Sequence, residues 1–153
     1  MSWTTITEAT LHEALTEGEV SAVQSAALAS GEPDPVPETI RKVVGEVRGY
    51  IGACEKNKLG PLDTVPDQLV SAALSIIRFR LLNRFPELGL QTDARKSEYD
   101  NALVLLRDVA ACRFAVEQPP ADEVGPEVMP SGAGTKLVHR TRLRFSRHQT
   151  DRL

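Results

Sequence analysis

Four side chains have the chemistry to gather around a metal: Cys54, Cys112, His139 and His148. A structural zinc site normally takes its ligands as close pairs on loops. These two cysteines are far apart, sit in apolar helical patterns, and form no CxxC pair. They read as buried free thiols of a reducing compartment. A catalytic histidine needs a nucleophile or carboxylate within hydrogen-bond reach. His12, His139 and His148 are scattered and offer no such set. The stretch "SGAGTK" has a glycine and a lysine, but a phosphate loop requires GxxxxGK[ST] after a strand. Here Gly134-Thr135-Lys136 follows a proline-rich segment, so the stretch reads as a hinge. The expectation is a protein that is not an enzyme, with no cofactor and no metal.

The remaining chemistry is charge. The chain carries a formal net charge of -3, but the charge is divided unevenly. Lys136, Arg140, Arg142, Arg144, Arg147 and Arg152 against Asp151 make the last 18 residues +5, leaving -8 on residues 1–135. Such asymmetry points the ending toward an acidic partner. A second basic cluster, Arg78, Arg80 and Arg84, lies near the end of a helical pattern. It is read as a dipole-complementing helix end paired with Glu87 or Asp93, in preference to a nucleic-acid edge.

These groups must be positioned by helices. The 153 residues suit one core, and an aromatic content of 5% means that Leu, Val, Ile and Ala build it. A body of this size needs no disulfide or metal to fold. Thr7 can cap a first helix to about Leu15, which Gly18 interrupts. "EVSAVQSAALAS" is a second helix to about Ser30, and "GEPDPVP" is a stiff turn. From Pro37, Ile40, Val43, Val44, Val47, Ile51 and Cys54 recur at spacings of three and four, giving one apolar stripe. The segment from Pro66 to about Phe85 is apolar almost all round, which marks a central helix, with Thr64 or Asp67 near its start. Thr92 or Asp93 caps a last helix to about Val116, with Tyr99, Ala102, Leu103, Leu106, Val109, Ala110 and Arg113 on one face. No apolar run approaches a membrane span, and the first residues lack the pattern of a signal peptide, so a cytoplasmic protein is expected.

The order so far is a helical bundle over 1–118, a Pro/Gly-rich linker over 119–135, and a basic arm over 136–153. In the arm, odd positions carry Leu137, His139, Thr141, Leu143 and Phe145. Even positions carry Lys136, Val138, Arg140, Arg142 and Arg144. Period two means a strand with one mostly apolar and one mostly basic face. No second strand is visible in the body, and a lone strand leaves its backbone unpaired. The arm therefore completes a sheet on another chain, or stays solvated. Leu137, Arg140, Arg142, Leu143, Arg144, Phe145 and Arg147 are the candidate partner-binding residues. Apolar residues interleaved with the arginines favour a protein surface over nucleic acid.

With "PETIRKVVGEVRGYIGA", "PLDTVPDQL", "LVSAALSIIRFRLLNRF" and "SEYDNALVLLRDVAACRFAV" in this order, residues 3–118 resemble the small head–tail connector (adaptor) proteins of tailed bacteriophages, of the Mu-like prophage neck-protein type. The resemblance implies an all-α bundle of four to five helices that forms a ring, commonly of twelve copies, beneath the portal. It implies a downstream neck or tail partner, DNA passing through the channel without specific binding, and a place in the virion neck after assembly in the host cytoplasm. It also implies a C-terminal arm that can add a strand at the portal. The alternatives are another neck or tail completion protein, or a small DNA-associated helical protein whose basic tail grips phosphates.

Overall fold

The computed structural model describes residues 2–120. The chain runs through β1 (Trp3–Thr5), α1 (Glu8–Leu11), α2 (Glu17–Ala29), α3 (Pro35–Gly52), β2 (Thr64–Pro66), α4 (Asp67–Arg84), a 3-10 turn (Pro86–Leu88) and α5 (Asp93–Ala110). The body is mostly helical, as expected. One correction is that β1 and β2 pair antiparallel, with Thr4 opposite Val65, so the body does hold a small sheet.

Local chemistry sets the helix ends. Thr7 accepts from the Thr10 amide and Thr10 reciprocates, a capping box that starts α1. Thr16 and Glu19 repeat the device for α2, so Gly18 lies inside the helix and does not interrupt it. Gly31, at φ 73°, closes α2: its own amide donates to Leu28 O and the Glu32 amide to Ala27 O. The "PDPVP" segment is not a free turn. Asp34 caps Val36, and Pro35 and Pro37 stand in the first turn of α3, where a missing N–H costs nothing.

α4 is the centre. Leu69, Ala72, Ala73, Leu74, Ile76, Ile77, Leu81 and Leu82 are buried on it, against α3 on one side and α5 on another. α3 contributes Val43, Val47 and Ile51, all fully buried, from the stripe read in the sequence. α5 contributes Ala102, Leu106 and Val109, and Tyr99 stacks on Phe79 with ring centroids 4.0 Å apart. Leu11 of α1, Leu15 of the turn after it, and Val20 and Val23 of α2 close the core.

α5 stops at Ala110, short of the expected Val116. Cys112 takes a left-handed turn at φ 58°, which ends the helix. That turn brings its Cα to 5.4 Å from that of Cys54, and the two form a disulfide. The expected free thiols are therefore corrected. The sulfur of Cys54 is buried just past the end of α3, and the turn after α5 presents Cys112 to it. Arg113, expected on the buried face of the helix, is exposed and pairs with Asp108 at 2.5 Å.

Two measurements test this packing. An added Cβ at Gly60 would lie 2.5 Å from Cδ2 of Trp3, so Gly60→Ala must displace the indole. The expected loss is on the order of 1–3 kcal/mol in urea unfolding, with a shifted emission from Trp3, the sole tryptophan of the chain. The disulfide spans 58 residues, so Cys54→Ser with Cys112→Ser should cost up to about 4 kcal/mol. Helical circular dichroism before unfolding should be unchanged.

Candidate partner-binding surface

The candidate residues Leu137, Arg140, Arg142, Leu143, Arg144, Phe145 and Arg147 lie outside the described residues, as does the linker from residue 121. The structure does show where the chain leaves the body. After Cys112 it runs without regular structure, burying Val116 and Pro119. The Lys58 amide donates to Gln118 Oε1 at 2.8 Å, and the Glu117 amide donates to Gln68 Oε1 at 3.3 Å. The exit therefore sits beside the root of α4 and close to β2.

The small sheet has two unlike edges. The Asp67 amide donates to Ser2 O at 3.1 Å. With Thr4 opposite Val65, this parity turns the N–H and C=O groups of Thr4 toward β2 and those of Trp3 and Thr5 away from it. On the far side of β2 the edge is closed. Arg48 donates to Thr64 O at 2.7 Å, to Pro61 O at 2.8 Å and to Gly60 O at 3.1 Å. The Thr64 amide donates to Pro61 O, and Pro66 has no N–H to offer. Burial lowers the pKa of Arg48, with Asp63 opposing, but a guanidinium stays charged throughout the working range. On β1, the backbone groups of Trp3 and Thr5 find no partner among the described residues, and β1 packs on β2 and α4. Trp3 Nε1 is also buried without a partner among these residues.

Asp67 holds β1 down. Its carboxylate accepts from the Ser2 amide at 3.2 Å, the Ser2 hydroxyl at 3.0 Å and the Thr4 hydroxyl. Above it opens a groove of about 520 Å³ that also includes Thr10, Glu13, Ser71, Arg78 and Glu98. Three carboxylates and one guanidinium make its lining acidic. The guanidinium of Arg78 is occupied by Glu98 and by Ala14 O. On the other face of the sheet, Gly60 backs against the indole of Trp3, and Leu59 and Leu62 flank it at 41% and 85% exposure.

The arginines of α4 are tethered, though not to Glu87 or Asp93. Arg78 meets Glu98 of α5, Arg80 meets Glu46 of α3 at 2.6 Å, and Arg84 meets Glu32 at 2.6 Å. Each partner is distant in sequence, and each bond reaches a different element. No group of three or more His, Cys, Asp or Glu is placed to hold a metal among the described residues. No helix among them is long and apolar enough to cross a membrane.

Together these features define a small helical module whose notable surfaces are an open strand edge, an acidic groove and a pair of exposed leucines. A family model described as Bacteriophage Mu, Gp36 matches residues 5–131, and the chain belongs to that family. It is thus a bacteriophage structural or morphogenesis protein. No curated protein and no solved structure matches it.

The carboxyl of Asp67 is held below its usual value near 3.8 by the Thr4 hydroxyl first and the Ser2 hydroxyl next. A depressed folded pKa adds stability that is present above that usual value and is lost as pH falls through the folded one. Trp3 emission and stability should therefore show an acid limb below about pH 3.8. Asp67→Asn should flatten that limb and lower stability at neutral pH.

Proposed function

We propose that this protein is a head–tail connector: an adaptor ring that docks beneath the portal and joins the capsid vertex to the tail. The match to a Mu protein family across residues 5–131 carries the proposal. The helical body agrees with the bundle that connector resemblance implies. Its excess of negative charge suits a channel through which DNA slides, because like charge discourages sticking. The role is structural, not enzymatic, with the portal above, a further neck or tail protein below, and sister copies alongside. The basic arm supplies a second contact beyond the body. Many copies acting together turn a weak arm contact into a firm one, since each bound arm raises the effective concentration of the next.

The occupied guanidiniums of Arg78, Arg80 and Arg84 weigh against a DNA-gripping regulator, because phosphate would have to displace carboxylates already in place. Purified full-length protein is expected to form rings in negative-stain images and to co-sediment with portal. A strictly monomeric particle without affinity for portal would overturn the proposal. Steep salt-dependent binding of the isolated chain to DNA would replace it with the regulator reading.

A further inference from the structure

We infer that the open edge of β1 is the acceptor for the C-terminal strand of a neighbouring copy, so that sister subunits are laced together by strand addition. This deepens the ring reading and rests on it.

Strand addition needs a free edge, and among the described residues the sheet has one. β2 is closed by Arg48, by the turn at Pro61 and by Pro66. β1 turns the N–H and C=O groups of Trp3 and Thr5 outward, and Ser2 and Thr5 are exposed. An unpaired edge of this kind is a template for another strand. The segment Lys136–Phe145 has the matching form, with side chains alternating between a mostly apolar and a mostly basic face.

Both faces of the acceptor suit that segment. On the side of Thr4 lies the groove with Glu13, Asp67 and Glu98, acidic on balance although Arg78 there pairs with Glu98. On the side of Trp3 lies Gly60, in the loop that also carries the exposed Leu59 and Leu62. A strand laid along β1 with Arg140, Arg142 and Arg144 over the groove turns Leu143 and Phe145 toward the face of Trp3 and the loop of Leu59 and Leu62. The opposite register by one residue would exchange every side chain between the faces, setting leucine against carboxylates and arginine against the face of Trp3.

The linker is long enough to reach a neighbour. Described contacts anchor the chain at Gln118, beside the root of α4. From Pro120 to Leu137 the chain spans roughly 55 Å when extended. A body of this size is roughly 35 Å across. A segment bound for its own β1, which shares the root of α4 with the exit, would need far less.

The test uses two tagged full-length versions expressed together. Both keep the Cys54–Cys112 disulfide; one also carries Thr5→Cys, and the other a single added cysteine placed in turn at His139, Arg140, Thr141, Arg142 and Leu143. Mild oxidation is expected to give a species bearing both tags, strongest for Thr141→Cys or another odd position, because those side chains share the face of Thr5. Positions 140 and 142 should cross-link at least tenfold less. Cross-linking confined to single chains, a preference for even positions, or no cross-link while rings still form would each overturn the inference and leave the connector reading intact. Failure to form rings at all would instead strike that reading.

Discussion

The guanidinium of Arg48 is the constraint on which the surface depends. A half-buried cation on α3 gathers the carbonyls of Gly60, Pro61 and Thr64, which no helix or strand would otherwise satisfy. Charge-assisted bonds of this kind are about twice as strong as neutral ones. They fix the long connection between α3 and α4, bring β2 against the bundle, and shut one side of the sheet. With the loop fixed, Gly60 meets Trp3 and β1 finds its place. The polarity of the sheet, one edge shut and one open, follows from this side chain together with the turn at Pro61 and the missing N–H of Pro66.

The same economy holds in the bundle. α4 is buried nearly all round, so its direction is set by hydrophobic packing that is itself non-directional. Three arginines on its later turns supply the direction. They reach α5, α3 and the segment after α2, each to one carboxylate. These pairs are partly exposed and individually modest in energy. Their value lies in register, because each fixes α4 against a different neighbour.

Much of the fold was legible in the sequence, and the reasons are local. The stripe on α3, the all-round apolarity of α4, and the caps at Thr7 and Thr92 depend on spacings of three and four residues. What was missed depends on distant partners. β1 has three residues and exists only because β2, some sixty positions later, stands beside it. Pairing of Cys54 with Cys112 needs the left-handed turn that stops α5, and no spacing rule announces it. The carboxylates that meet Arg78, Arg80 and Arg84 were misassigned to near neighbours for the same cause. Of the candidate surface, the basic strand was legible because period-two alternation is local. The edge and groove described on the body were not, because a free edge is a property of a sheet that was itself unseen.

The covalent bond between Cys54 and Cys112 has a mechanical consequence. Everything beyond residue 112 hangs from the end of α5, the outermost long helix in the chain order. A pull on that extension would ordinarily unzip α5 turn by turn from its C-terminus, the easiest geometry in which to strip a helix. Here a load that has broken the contacts of Gln118 and Glu117 reaches Cys112 and passes sideways through sulfur to Cys54, just past the end of α3, leaving α5 outside the line of tension. The cross-link thus shields α5 from a pull on the chain beyond it.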